Sequence, residues 1–108
     1  MARRHLGEFE HLLLLALARL GDEATGTTVR RVIAERTGRT LSPGAIYTGL
    51  DRLEHRGLVA SVLGDPTPQR GGKRQRRYRL RAAGVAALAE THAGLAEMSR
   101  GLKPRWQS

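Results

Sequence analysis

One segment in the second half of the chain constrains the fold most, because a capped amphipathic helix runs directly into two short strands. Ser42 can cap this helix, Pro43 suits its first position, and Gly57 follows its end. Strands are then predicted at 58–63 and 76–80, on either side of a loop rich in glycine and proline. The order of these elements predicts a helix followed by a β-hairpin wing.

The positive charge of the chain is concentrated in this wing. The formal net charge is +9, and the stretch from 70 to 81 has no acid but contains Arg70, Lys73, Arg74, Arg76, Arg77, Arg79 and Arg81. A local positive field attracts a polyanion, whereas evenly spread charge mainly promotes solubility. A helix fits the major groove of a duplex and a basic hairpin can lie along the adjacent phosphates, so we predict that the partner is double-stranded DNA. A solvated loop that is merely basic is the alternative.

Apolar residues at helical spacing predict three more helices, at 8–20, about 27–37 and about 82–102. The helix at 27–37 is joined to the capped helix by a tight connection that begins at Gly38, which matches helix-turn-helix geometry. We therefore expect a mainly α fold with a small β-hairpin (α+β), in the form of a winged helix-turn-helix with a C-terminal dimerisation helix.

Two of these helices carry more apolar surface than one small core needs. The first has Leu14 and Leu15 outside its main apolar stripe, and the last has an a/d heptad stripe formed by Val85, Leu88, His92, Leu95, Ser99 and Leu102. The last helix is short and has polar residues on this stripe, so it needs a partner surface. We predict a homodimer, as is common among major-groove readers. Packing against its own domain alone is the alternative.

The length of 108 residues fits a single folded unit. Within it we expect a winged helix-turn-helix DNA-binding domain at 1–81, a dimerisation helix at 82–102 and a disordered tail at 103–108. The tail contains Trp106, for which a stacking or reporter role is the less favoured interpretation.

Several classes of protein and of site are disfavoured by composition. The chain has no cysteine, which excludes disulfides and thiolate metal sites and suits a reducing cytoplasm. The apolar run at 12–20 is interrupted by Arg19 and is far shorter than the roughly 20 residues that a membrane span needs. The four histidines are scattered without metal-ligand spacing. We expect a cytoplasmic protein with no membrane partner, no cofactor, no metal and no catalytic activity.

The chain resembles the PadR family of bacterial transcriptional regulators over nearly its whole length. The segments responsible are LGEFEHLLLLALARLG at 6–21, TVRRVIAERTGR at 28–39, GAIYTGLDRLEHRGLV at 44–59, and GGKRQRRYRL at 71–80 followed by AAG at 82–84. The resemblance implies a repressor-like protein that is dimeric through its first and last helices, binds operator DNA and is released by an inducing signal. A dimer that reads two half-sites predicts a palindromic operator, and a cavity at the dimer interface could admit a small-molecule effector. The single C-terminal helix is typical of the shorter members.

Two positions depart from the family pattern. Many relatives have an aromatic residue where Thr25 stands, and Thr where Arg81 stands. The first change removes any aromatic packing there. The second predicts a poor N-cap for the last helix.

Candidate contacts with DNA lie in the first turns of the capped helix and in the wing. Small and hydroxylated residues let the backbone approach base edges, and Tyr47 can donate its hydroxyl to a phosphate, although a packing role is its alternative. The predicted DNA-binding residues are Ser42, Gly44, Ala45, Tyr47, Thr48, Arg52, Lys73, Arg74, Arg76 and Arg77. The predicted dimer interface comprises Phe9, Leu13, Leu14, Val85, Leu88, His92, Leu95 and Leu102.

The main alternative function is a winged-helix module that binds a protein or a structured RNA. Asp51 and Glu54 keep it open, because carboxylates that faced a phosphate would repel it. Both lie in the C-terminal half of the capped helix, where Arg52 or Arg56 can pair with them.

Overall fold

The computed structural model describes residues 6–64 and 75–102. In chain order the elements are α1 (Glu8–Leu20), a 3-10 turn (Gly21–Glu23), α2 (Gly26–Thr37), α3 (Pro43–His55), β1 (Val59–Leu63), β2 (Arg76–Leu80) and α4 (Ala82–Ser99). This order confirms the predicted winged helix-turn-helix. The predicted wing tip with Lys73 and Arg74, and the tail with Trp106, lie outside the described residues.

The helix boundaries follow local capping. At the start of α2 the Thr25 Oγ1 accepts from the Thr28 N–H (3.2 Å), and the Thr28 Oγ1 accepts in return from the Thr25 N–H (2.8 Å). Thr25, one of the two residues that depart from the family pattern, therefore supplies the N-cap of α2. Arg81 precedes α4 without a side-chain cap, as predicted, and α4 ends at Ser99, short of the predicted residue 102.

The core is built around α1, which packs against α2, α3 and the wing. The buried apolar side chains of this core are Leu6, Leu13, Leu14, Ala16, Leu17, Ala24, Val29, Ile33, Ile46, Leu50, Leu53, Leu58, Val59, Tyr78 and Ala87. Leu13 and Leu14 are both 0% exposed, so neither has surface left for a partner subunit. This corrects their assignment to the dimer interface, because α1 is enclosed on two sides by its own protomer. Leu15, at 43% exposure, is the large apolar residue that α1 presents outward.

The wing is an antiparallel pair in which Val59 faces Leu80 and Leu63 faces Arg76. Tyr78, which stands between the exposed Arg77 and Arg79, is buried on the inner face of this hairpin, as expected of a strand whose side chains alternate between two faces. The Tyr78 N–H donates to the Ala24 carbonyl (2.9 Å), which fixes the root of the wing to the turn before α2.

The start of α4 lies close to the backbone of Leu58, which is between α3 and β1. The Arg81 N–H donates to the Leu58 carbonyl oxygen (3.0 Å), and a Cβ atom at Gly84 would lie only 2.2 Å from that same oxygen. Beyond Thr91 every described residue of the helix is exposed. In the two described ranges, no helix is long and apolar enough to cross a membrane.

Candidate nucleic-acid interface

One face of α3 is buried and the opposite face is open to solvent. The Ser42 Oγ accepts from the Ala45 N–H (3.1 Å) and so starts the helix at the predicted residue. The buried face is formed by Ile46, Gly49, Leu50 and Leu53. The exposed residues of α3 include Gly44, Tyr47, Thr48, Asp51, Arg52 and His55, which recur at three- and four-residue spacing and therefore share one face. Ser42, the N-cap residue, is exposed as well, whereas Ala45 is half-buried.

Tyr47 is 43% exposed, but its ring also covers the first residue of α2. A Cβ atom at Gly26 would lie 2.4 Å from the Tyr47 Cζ and 2.6 Å from its hydroxyl oxygen. The glycine is therefore what lets the ring lie against α2, with its hydroxyl at the N-terminal turn of that helix. Packing and exposure, which the sequence presents as alternatives for Tyr47, both apply. Gly26 is a residue that sequence reasoning missed, because the contact joins helices that are distant in sequence.

The connection between α2 and α3 is held from the side of α2. The Arg30 Nε donates to the Leu41 carbonyl, just before the cap of α3. Beside this contact is a recess of about 300 Å³ lined by Thr27, Arg30, Arg31, Ala34, Thr40 and Leu41. Arg30 and Arg31 therefore lie on the side of the protein where α2 and α3 meet.

The two described wing cations among the predicted DNA contacts, Arg76 and Arg77, project from opposite faces of the hairpin. The Arg77 Nη1 donates to the Asp22 carbonyl (2.9 Å). The Arg76 Nη1 donates to the Ser61 Oγ (3.1 Å), and this hydroxyl in turn donates to the Glu54 carboxylate, with 2.9 Å to each oxygen. Both arginines are exposed, yet each has an intramolecular partner. Arg79 is exposed on the same face as Arg77.

Two ion pairs connect the start of α1 to the turn between α2 and α3 and to the end of α3. Glu8 pairs with Arg39 (2.9 Å), and Glu10 pairs with Arg56 (2.8 Å). Burial opposes ionisation of Glu10, but the hydrogen bonds from Arg56 and from the Gly7 N–H outweigh it and lower the pKa of this carboxyl. Arg56 thus binds an acid of α1.

The Tyr78 hydroxyl lies in the electrostatic field of α3. Burial raises the pKa of Tyr78 to about 12, and the negative charge of Asp51 adds to the effect. This group is protonated in the folded chain at pH values where the unfolded chain has begun to lose the proton.

The raised pKa of Tyr78 predicts a loss of stability at alkaline pH. The protonated Tyr78 hydroxyl contributes about 2 kcal/mol to the free energy of unfolding. This contribution is fully present below the pKa that tyrosine has in the unfolded chain, near 10, and it is lost as the pH rises toward 12. Urea unfolding between about pH 9.5 and about pH 11.5 measures it. Tyr78→Phe should flatten this decline, whereas Tyr47→Phe, which removes the hydroxyl of the half-exposed tyrosine, should keep it. An equal decline in wild type and Tyr78→Phe would contradict the assignment.

The predicted interface residues on α4 are largely uncovered. Val85 is 55% exposed, Leu95 and Leu102 are each 57% exposed, and His92 is exposed as well. Leu88 is half-buried against the core, and so is Phe9 of α1, whose ring lies beside Gly49. Met98, at 80% exposure, extends this apolar surface.

Comparison with solved structures gives the same fold. A PadR family transcription regulator from Clostridium difficile R20291 matches with a TM-score of 0.72 at 23% identity, over 87% of this chain and 93% of that one. The padr family transcriptional regulator from Eggerthella lenta DSM 2243 matches with a TM-score of 0.67 at 28% identity, over 87% and 81%. F93 from STIV, a winged-helix DNA-binding protein, matches with a TM-score of 0.70 at 16% identity, over 92% and 99%.

The comparison with curated proteins gives no match. The family model described as the transcriptional regulator PadR-like family matches residues 13–90, which include α2, α3, the wing, most of α1 and the first half of α4. The chain therefore belongs to the PadR-like family of transcriptional regulators.

Proposed function

We propose that this protein is a dimeric, sequence-specific regulator that binds a palindromic site in double-stranded DNA and represses transcription. The observation that carries the proposal is the open face of α3, where Gly44, Tyr47 and Thr48 are exposed together at the N-terminal half of a rigidly packed helix. Small and hydroxylated side chains at this end allow close approach to base edges in a major groove. The family and fold are those of transcription regulators, so the proposed role is binding and not catalysis.

The electrostatics support a polyanionic partner. The chain has a formal net charge of +9, and the wing supplies most of it. Glu54, whose charge favoured a protein or RNA partner, accepts a hydrogen bond from Ser61 next to Arg76. Its charge is thereby partly offset within the protein, which weakens that alternative.

The uncovered apolar side chains of α4 support the homodimer. Residues 82–102 would form the dimerisation helix and residues 1–81 the DNA-binding domain, with Leu15 of α1 adjoining the interface. Two copies related by a twofold axis would place two α3 helices on half-sites about one helical turn, roughly 34 Å, apart. A small-molecule effector that binds between the subunits would change this separation and release the operator. Such a regulator would act in the bacterial cytoplasm, on the nucleoid.

Selection from a library of random duplexes tests the proposal. The protein should recover one palindromic sequence with two half-sites. Binding without any recovered sequence would leave a nonspecific nucleic-acid binder. Failure to bind duplex DNA would favour the protein or RNA partner.

The exposed face of α3 and the cations of the wing should contribute differently to DNA binding, the first to sequence preference and the second to overall affinity. Thr48→Ala should alter the base preference at one position of each half-site, because Thr48 lies on the reading face. Replacing Lys73 and Arg74 with alanine should weaken binding to all sequences and reduce the salt slope by about one unit for each phosphate that is no longer neutralised. Titration of selected and shuffled duplexes at several salt concentrations separates the two effects. Equal losses of specificity in both variants would contradict the division.

A further inference from the structure

We infer that Ser61 is a positioning residue, which links Glu54 of α3 to Arg76 of β2 and thereby sets the orientation of the wing relative to the reading helix. The inference rests on the proposed function, because orientation matters only if both elements contact one duplex. It assigns Ser61 and Glu54, which lie outside the predicted contact surface, a part in DNA binding.

The geometry places one hydroxyl between a carboxylate and a guanidinium. The Ser61 Oγ lies 2.9 Å from both Glu54 carboxylate oxygens and accepts from the Arg76 Nη1 at 3.1 Å. A serine hydroxyl is both donor and acceptor, so it can satisfy an acid and a base at once. Ser61 and Glu54 are half-buried, which limits competition from water.

This link attaches the inner face of the wing to α3. Ser61 is directly opposite Tyr78 in the register, so the link lies on the inner face of the hairpin, beside a ring that is buried against the core. On the other face, Arg77 binds the Asp22 carbonyl (2.9 Å). The hairpin is therefore held to α3 through Ser61, which Arg76 also contacts, and to the turn after α1 through Arg77.

A two-stranded hairpin is marginally stable by itself, so its orientation depends on such attachments. If the link to α3 is removed, the hairpin can change its angle to the reading helix. Its cations would then no longer reach the phosphates while α3 occupies the groove. Fewer phosphates would be neutralised, and fewer counterions would be released on binding.

Two variants of Ser61 test this without changing any charge. Threonine and valine are nearly identical in shape, and both suit a strand, so we compare Ser61→Thr, which keeps the hydroxyl, with Ser61→Val, which lacks it. The full-length chain is titrated with the duplex recovered by selection, at several salt concentrations. We expect Ser61→Val to bind roughly tenfold more weakly, with a salt slope lower by about one, and Ser61→Thr to resemble wild type.

The matched control is Val62→Ala, at the next residue of the same strand, on the opposite face and 63% exposed. It should keep the wild-type salt slope. A purely structural role for Ser61 would lower affinity without changing the slope. A wild-type or steeper slope for Ser61→Val would overturn the inference, the steeper one because Arg76 had been freed to bind phosphate. If the wild-type protein shows no preference for the selected duplex, both the proposed function and this inference are contradicted.

Discussion

Replacing Gly84 with alanine should destabilise the fold by about 3 kcal/mol, although alanine is the better helix former by about 1 kcal/mol. The added Cβ atom would lie 2.2 Å from the Leu58 carbonyl oxygen and 3.2 Å from its carbon. These are backbone atoms that cannot move aside easily. The Leu58 oxygen accepts from the Arg81 N–H (3.0 Å), and the Leu58 N–H donates to the Leu53 carbonyl (3.0 Å). Accommodating the methyl group would separate α4 from the root of the wing.

Gly94→Ala is the control for this substitution. It lies in the same helix, and a Cβ atom there would meet nothing within 4 Å. It should leave stability unchanged or raise it by up to about 1 kcal/mol through helix propensity. Urea unfolding of both variants at one protein concentration measures the difference. If Gly84→Ala is as stable as Gly94→Ala, the close approach of α4 to Leu58 is contradicted.

Replacing Leu95 with aspartate should convert a dimer into a monomer and weaken operator binding by roughly a hundredfold or more. Leu95 is 57% exposed on α4 and lies on its heptad stripe with Val85 and Leu102. Burying an unpaired carboxylate in an apolar interface is costly, whereas in the monomer the same carboxylate would be solvated. A monomer engages one half-site at a time, so the gain from simultaneous binding of two half-sites disappears.

Light scattering on a sizing column measures the mass, and titration with the selected duplex measures the affinity. The control is Ala93→Asp, which introduces the same charge at an exposed position beside the stripe. It should stay dimeric and keep its affinity. A Leu95→Asp protein that remained dimeric would place the interface elsewhere.

Local chemistry explains which elements could be predicted from the sequence. The bounds of α1 and β2, and the start of α3, match their predictions because each depends on residues within one turn or one strand. Ser42 and Pro43 determine the start of α3. The Ser42 hydroxyl accepts a hydrogen bond from the Ala45 N–H, and Pro43 lacks an N–H group that would have no partner at this position. The alternation around Tyr78 likewise predicts its burial from neighbours alone.

The features that could not be predicted depend on contacts between distant segments. Leu14 lies outside the main stripe of α1, and its burial follows from the packing of other elements, among them β2 and α4, against this helix. The contact between Gly26 and Tyr47 joins two helices, and the bond from Arg77 to the Asp22 carbonyl joins residues far apart in the chain. Charge counting assigns Arg76 and Arg77 to phosphates because it cannot detect partners within the fold. Contact of any of these residues with DNA remains a prediction.

The most direct test of the account is the ratio of two dissociation constants at near-physiological salt, one for the selected palindrome and one for its shuffled sequence. Specific regulators of this kind bind their site at least about a thousandfold more tightly than other DNA. We predict a ratio of at least that order, with two chains bound per duplex. A ratio near one would contradict the central claim, because the exposed face of α3 would then not read base sequence.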